Sequence, residues 1–463
     1  MVGRIQCISP IDGNVYVERE QASSDEALDS LLRANKAFRA WRHVPLEERQ
    51  TLLNRAVDIF VSKRDAIAEE ITWQLGRPIT QSPSEVAGFE ERARHMIDIA
   101  PRHLMDQAVE PRQGFNRFIR HQPMGVVLVV APWNYPYLTS VNAIIPALMA
   151  GNAVVLKHSA QTPLCAERYA EVFAEAGLPD DVFQFLHLDH DTTLGVIEEA
   201  DVNFVAFTGS VEAGRMMQRA AADRFVRTAL ELGGKDPAYV RPDADLDFAI
   251  DNLVDGAFFN AGQSCCAIER IYVHADLYDR FVDGFVSKVG EYSLGDPLKP
   301  ETSLGPMVKA AGADFVRAQV DEAVARGARS LVNPQDFPAD RPGTPYCAPR
   351  VLVDVNHEMR VMTEESFGPV IGIMKVEDDD DAVQMMNDSR FGLTASVWTR
   401  DEKAALAIGD RVVTGTFFMN RCDYLDPALA WTGVKDSGRG CTLSELGYLQ
   451  LTRPKSFHLR TGA

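Results

Sequence analysis

The sequence holds no uninterrupted apolar stretch near the roughly 18 residues that a membrane-crossing helix needs. Its opening MVGRIQCISPIDGNVY has no basic segment leading into an apolar core. Neither a membrane partner nor export is expected, so the chain is read as cytoplasmic. Basic residues are in deficit: 47 Lys and Arg stand against 66 Asp and Glu, a net charge of −19. No dense Lys/Arg stripe relieves that imbalance, so a phosphate backbone would be repelled and nucleic acid is not an expected partner. Cysteine is sparse and scattered. The seven, at positions 7, 165, 265, 266, 347, 422 and 441, are odd in number and show no C-x-x-C spacing, which argues against a metal site or a disulfide framework. Also missing is the G-x-G-x-x-G of the standard dinucleotide fold, since the one G-x-G, Gly438-Arg439-Gly440, follows no apolar strand.

What the sequence does contain is a long alternation of apolar strands and amphipathic helices. With 463 residues, 46% of them hydrophobic, the chain can build two or three cored domains. From Ser23 to about Gly76 it runs in helical periods, LDSLLRANKAFRAW and then LEERQTLLNRAVDIFVSKRDAIAEEI. After Gln122 come GVVLVVAP, SVNAIIPALMAG, NAVVLKH and TPLCAERYAEVFAEAG, the last with Thr162 as N-cap, Pro163 in the first turn and Gly177 at its end. VFQFLHL, LGVIEEA, VNFVAFTGS and VEAGRMMQRAAAD continue the series. Apolar strands between helices imply a parallel sheet covered on both faces, a doubly wound α/β architecture. A second series starts near Gly234 and implies a second α/β domain. The acidic run at 377–381 reads as the start of the helix AVQMMNDS.

Three stretches could carry chemistry. In FVAFTGSVEAG, Thr208, Gly209 and Ser210 cross from strand to helix and would aim free N–H groups at a phosphate, although such residues also serve as plain turns and caps. In TALELGGK, Glu231 ends an apolar strand before a glycine pair, where a buried carboxylate could act as a base; a surface strand end is the plain alternative. In FFNAGQSCCAIER, Cys265 and Cys266 are adjacent, and buried thiols are more often structural than reactive.

Together, APWNYP, LKHSAQTP (156–163), FTGS (207–210), ELGGK (231–235), GQSC (262–265) and EESFGP (364–369) stand in the order and spacing of the aldehyde dehydrogenase superfamily, which the chain resembles over nearly its whole length. The resemblance implies a Rossmann-variant cofactor domain at 1–104 and 124–234, a catalytic α/β domain at 235–428, and a small β bridging region at 105–123 and 448–463 that assembles dimers or tetramers. It implies that Cys265 is the nucleophile, that Asn134 with the Cys265 N–H stabilises the oxyanion, and that Glu231 activates the water that hydrolyses the thioester. NAD+ or NADP+ would be held by Trp133, Lys157, Thr208, Gly209, Ser210, Gly214, Glu365 and Phe367, with no metal. Where NAD-preferring relatives often carry a Glu, three residues past the ribose-binding Lys, this chain has Ala160, so both cofactors are expected to work. Trp431 and Thr432 replace the Phe and Gly of the usual P-F-G-G.

The substrate is expected to be a small aldehyde whose pocket includes Tyr135, Thr139 and Asn142. Position 142 commonly holds an Arg in relatives acting on succinic semialdehyde and a Trp in many acting on betaine aldehyde, so Asn142 points to a neutral substrate. A semialdehyde dehydrogenase is the alternative. A cysteine hydrolase is the rival from another class, and it would need a histidine beside the thiol, with His357 and His458 as candidates.

Overall fold

The computed structural model describes residues 3–461. Residues 1–2, and the last two of the 448–463 region, lie outside the described part. The runs VVLVV, AVVLK and FVAF are buried at every position, as strands covered on both faces must be. Alternate residues of one strand serve opposite layers. Val127 and Val129 join a core with the helices Leu46–Ser62, Pro83–Leu104, Pro136–Met149 and Pro163–Ala176, while Val126, Leu128 and Val130 join one with Ser24–Trp41, His190–Glu199 and Val211–Ala222.

These strands form a six-stranded sheet in the order Gly438–Arg439, Arg227–Glu231, Phe204–Thr208, Val126–Val130, Ala153–Lys157, Phe183–Phe185, parallel except for the first. The chain enters at Val126–Val130, steps outward on one side, then returns to Phe204–Thr208 on the other. That reversal is the switch point at which doubly wound sheets bind ligands beyond their carboxyl ends.

A seven-stranded sheet follows in the order Arg329–Ser330, Arg350–Val353, Val370–Val376, Ile268–His274, Asp236–Val240, Thr394–Trp398, Thr416–Met419, again parallel except for the first. Only Leu232–Lys235 link the carboxyl end of Arg227–Glu231 to the amino end of Asp236–Val240. The output edge of the first sheet therefore faces the input edge of the second, and the cleft between them collects the chemistry.

Strands from the stretches 105–123 and 448–461 form a third sheet. Phe115–Pro123 lies between Gln107–Ala108 and Thr452–Arg460, all antiparallel, with Phe118 stacked on Phe457 at 4.6 Å. Residues up to Gln450 still belong to the helix Ser444–Gln450. No helix among the described residues is long and apolar enough to cross a membrane.

One local expectation changes. The helical run from Leu46 breaks at Lys63 (φ −96°, ψ 12°) into Leu46–Ser62 and Arg64–Leu75, letting the second helix turn toward Pro83–Leu104. Thr162 stands at the N-cap position as expected but makes no side-chain cap bond, its hydroxyl pairing with His158 Nδ1 at 3.0 Å. The acidic run behaves as read: Asp378 caps Asp379–Asn387 by accepting from the Asp381 N–H.

Candidate active site

The cysteine loop starts where the helix Leu246–Phe258 ends. Asn260, Ala261 and Gly262 all have positive φ, at 52°, 56° and 70°, and this left-handed turn reverses the chain into the cleft. Gly262 is required twice, by its φ and because a Cβ there would overlap the backbone of Gly368. Gln263 pins the loop from both ends of its amide, to the Asn260 carbonyl at 3.0 Å and from the Val308 N–H at 2.9 Å. Ser264 Oγ and Cys266 Sγ each donate to Asp423 Oδ1 at 3.0 Å. Contact with the Cys265 thiol, together with burial, holds the Cys266 thiol well above its ordinary range. Cys265 itself is half-buried between them.

Asn134 reaches this loop from the first sheet, its Nδ2 donating to the Gln263 carbonyl at 3.1 Å. Its own carbonyl accepts from the Arg77 guanidinium and from Asn260 Nδ2 at 3.3 Å. Arg77 is in turn fixed by Glu85 in a wholly buried ion pair at 2.6 Å. One amide hydrogen of Asn134 is left for another acceptor.

Glu231 ends its strand with both carboxylate oxygens engaged, accepting from Thr442 Oγ1 at 2.6 Å and Thr208 Oγ1 at 3.1 Å. Burial raises its pKa, and the two hydroxyls work against that rise. The following glycines are steric necessities: a Cβ on Gly233 would overlap the Glu365 carboxylate, and one on Gly234 the Cys265 carbonyl. Across the cleft, Glu365 Oε1 accepts from the Gly234 N–H at 3.0 Å. Burial and the nearby Glu269 push the Glu365 carboxyl up to about 8. Phe367 meets Trp133 edge to face at 5.6 Å. Lys157, 7% exposed at the end of its strand, has an ammonium that donates to no acceptor among the described residues, and burial lowers its pKa. Ser210 caps the helix Val211–Ala222 through the Ala213 N–H, leaving the N–H groups of Val211 and Glu212 without acceptors among the described residues. Gly214 lets that helix approach Leu232, which a Cβ would strike.

The model of the aldehyde dehydrogenase family matches residues 2–457. The chain belongs to the aldehyde dehydrogenase family. It is 35% identical over 454 residues to succinate-semialdehyde dehydrogenase [NADP(+)] 1 of Mycobacterium bovis, covering 98% of this chain and 99% of that one. It is 36% identical over 455 residues to an aldehyde dehydrogenase of Paenarthrobacter nicotinovorans, with the same coverage. Among solved structures, succinic semialdehyde dehydrogenase from Streptococcus pyogenes in complex with NADP+ superposes with a TM-score of 0.94 at 30% identity, over 98% of this chain and 100% of that one.

Several residues of this aldehyde dehydrogenase escaped the motif reading. Glu269, in the strand after the cysteines, pairs with Lys235 at 2.7 Å and accepts the N–H groups of Ser366 and Phe367, so it shapes the loop that carries Glu365. A charge inside the apolar IERIYV was the available signal. Thr442 and Asp423 had none, because each acts through a contact distant in sequence. Trp431, one of the departures from the usual motif, exchanges backbone hydrogen bonds with Thr442 and so sets the hydroxyl that holds Glu231.

Thr139 and Asn142 line a small cavity with Thr208, Glu231 and Thr442. Thr139 already donates to the Tyr135 carbonyl at 2.8 Å. The Tyr135 ring lies under the Arg77 guanidinium at 4.5 Å. A cavity of about 800 Å³ lies by the N-terminal hairpin and contains none of these residues. The hydrolase reading fails on geometry. His357 is held between the Tyr272 hydroxyl and Asp388, and His458 stacks on Phe115 in the third sheet. Neither hydrogen-bonds a cysteine.

Proposed function

We propose that this enzyme oxidises an aldehyde to the carboxylic acid with NAD+ or NADP+, through intermediates covalently held on Cys265. The observation carrying this reading is the 3.1 Å bond from Asn134 Nδ2 to the Gln263 carbonyl, which brings an oxyanion-binding amide from one sheet to the cysteine loop of the other. The Cys265 thiolate attacks the carbonyl carbon. The resulting oxyanion accepts from the second Asn134 amide hydrogen and from the Cys265 N–H, which has no acceptor among the described residues. Loss of hydride from that carbon leaves a thioester. Glu231, ionised and freed from one threonine, takes a proton from water as the water attacks the thioester carbon, and Cys265 departs as thiolate. Cys266, held protonated on Asp423, is unsuited to the nucleophile's role.

The cleft fits a dinucleotide. Lys157 offers an unpartnered ammonium, the turn after Thr208 offers the N–H groups of Ser210, Val211 and Glu212 for a pyrophosphate while the Gly209 N–H is spent on the Glu231 carbonyl, and Glu365 offers a carboxyl for ribose hydroxyls, with Trp133 and Phe367 beside it. Bound there, NAD(P)+ supplies the hydride acceptor. Ala160 is exposed and puts no carboxylate against a 2′-phosphate, in keeping with the NADP+ in the names of the mycobacterial and streptococcal relatives. The first sheet with its helices (1–104, 124–234), completed at its edge by Gly438–Arg439, is the cofactor domain and the second (235–428) the catalytic domain. The third sheet leaves Thr452–Arg460 as an unpaired edge on which a second copy would build a dimer. Seven unpaired thiols agree with a cytoplasmic setting. The test is formation of reduced nicotinamide and acid from an aldehyde panel: wild type turns over, Cys265→Ser does not, and equal turnover by the two would refute the proposal.

A further inference from the structure

The helix Pro83–Leu104 brings beside Asn142 a charge that the chemistry above does not use. Arg92 is 8% exposed. Its Nη1 donates to the Leu138 carbonyl and lies 3.5 Å from Asn142 Oδ1, both in the helix that follows Asn134 and Tyr135. Nε and Nη2 donate to no acceptor among the described residues, and neither is sealed off inside the protein. The buried ion pairs of this region are Arg77–Glu85 and Lys235–Glu269, and Arg92 belongs to neither.

The acids that face Arg92 are otherwise occupied. Glu85 holds Arg77 and accepts the N–H groups of Tyr137 and Leu138 at 2.9 and 3.0 Å. Glu91 accepts from the Tyr424 hydroxyl at 2.7 Å. Glu231 is held by its two threonines, and Asp423 by Ser264 and Cys266. Burial favours the neutral form of both Glu231 and Asp423. Two further polar groups at this site are buried without partners, Asn142 Nδ2 and the Tyr135 hydroxyl, the latter facing Asp423 and Cys266. Buried donors left unpaired are rare in native proteins, and an unneutralised buried charge is costly.

We propose that Arg92, assisted by Asn142 Nδ2, binds a carboxylate at the far end of the substrate, making the preferred substrate an anionic aldehyde with a carboxylate remote from its carbonyl. The proposal rests on aldehyde oxidation at Cys265. It reverses the expectation drawn from Asn142 alone. The guanidinium comes from the neighbouring helix, and an Arg at 142 would be repelled by Arg92, whereas the short amide leaves room and adds a donor. The free Nε and Nη2 form the planar fork that matches two carboxylate oxygens.

The full-length enzyme is assayed with succinic and glutaric semialdehydes and with butanal and pentanal as uncharged counterparts. Wild type is expected to favour the acids by about tenfold or more in kcat/KM. Arg92→Gln should cut that ratio about thirtyfold, mainly through KM, and Arg92→Lys should recover part of it by restoring charge without the fork. Asn142→Asp, which sets a carboxylate beside the guanidinium, should lower the same ratio and serves if Arg92→Gln does not fold. Wild-type preference for butanal or pentanal, or a variant that lowers acids and neutral aldehydes equally, overturns the anion site while leaving the Cys265 chemistry standing. Failure of wild type with every aldehyde and both cofactors removes the oxidation reading as well.

Discussion

Replacing Thr442 with Val removes the shorter of the two hydrogen bonds to Glu231, 2.6 Å to Oε1, while the backbone pair with Trp431 stays in place. A hydroxyl donating to a carboxylate favours the ionised form, and burial already favours the neutral one. Water activation needs the ionised form, which exists above the group's pKa. Losing the donor moves that pKa further up, so the rising limb of deacylation shifts to higher pH and the rate at neutral pH falls. A hydrogen bond to a charged group contributes about 1.5–3 kcal/mol. At its low end that moves the limb by about one pH unit. Stopped-flow mixing with aldehyde and NAD(P)+ should show an intact first burst of reduced nicotinamide and a slower linear phase whose rising limb lies about one pH unit higher than in wild type. Thr208→Val, losing a 3.1 Å bond, should do the same more weakly. A linear phase with an unmoved pH limb, or a lost burst, would refute this placing of Glu231.

Glu365, pushed up to about 8, is neutral below that pH and a carboxylate above it. Ribose hydroxyls donate best to the carboxylate, so KM for NAD(P)+ should fall as pH rises through about 8 and lose that dependence in Glu365→Gln, as initial rates across pH will show. Lys235→Met leaves Glu269 buried and uncompensated, with an expected loss of about 3–5 kcal/mol in denaturant unfolding and a raised KM for cofactor, because Glu269 also holds the Ser366 and Phe367 N–H groups.

The strand and helix series was legible because buried parallel strands need unbroken apolar runs, and Val126–Val130 and Ala153–Lys157 have them. The candidate residues were legible where they fall in short local motifs, as with Cys265 just after its left-handed turn and the glycines after Glu231. Residues that work through a distant partner left no such trace. Thr442 is 211 positions from Glu231, and Arg92 reaches Asn142 across 50. The missing cap bond at Thr162 has the same origin: a local cap pattern lost its hydroxyl to His158, whose position the cap rule does not consider. At Lys63 the helical period continued while the backbone turned.

The account stands or falls on which sulfur carries the substrate. Glu231→Gln, mixed with aldehyde and NAD(P)+ and quenched after the first turnover, should accumulate an acyl adduct that peptide mass spectrometry places on Cys265. Cys266→Ala in the same background should keep the adduct at a stability cost of about 1 kcal/mol, and Cys265→Ala should abolish it. An adduct on Cys266, or one that survives Cys265→Ala, would contradict the account.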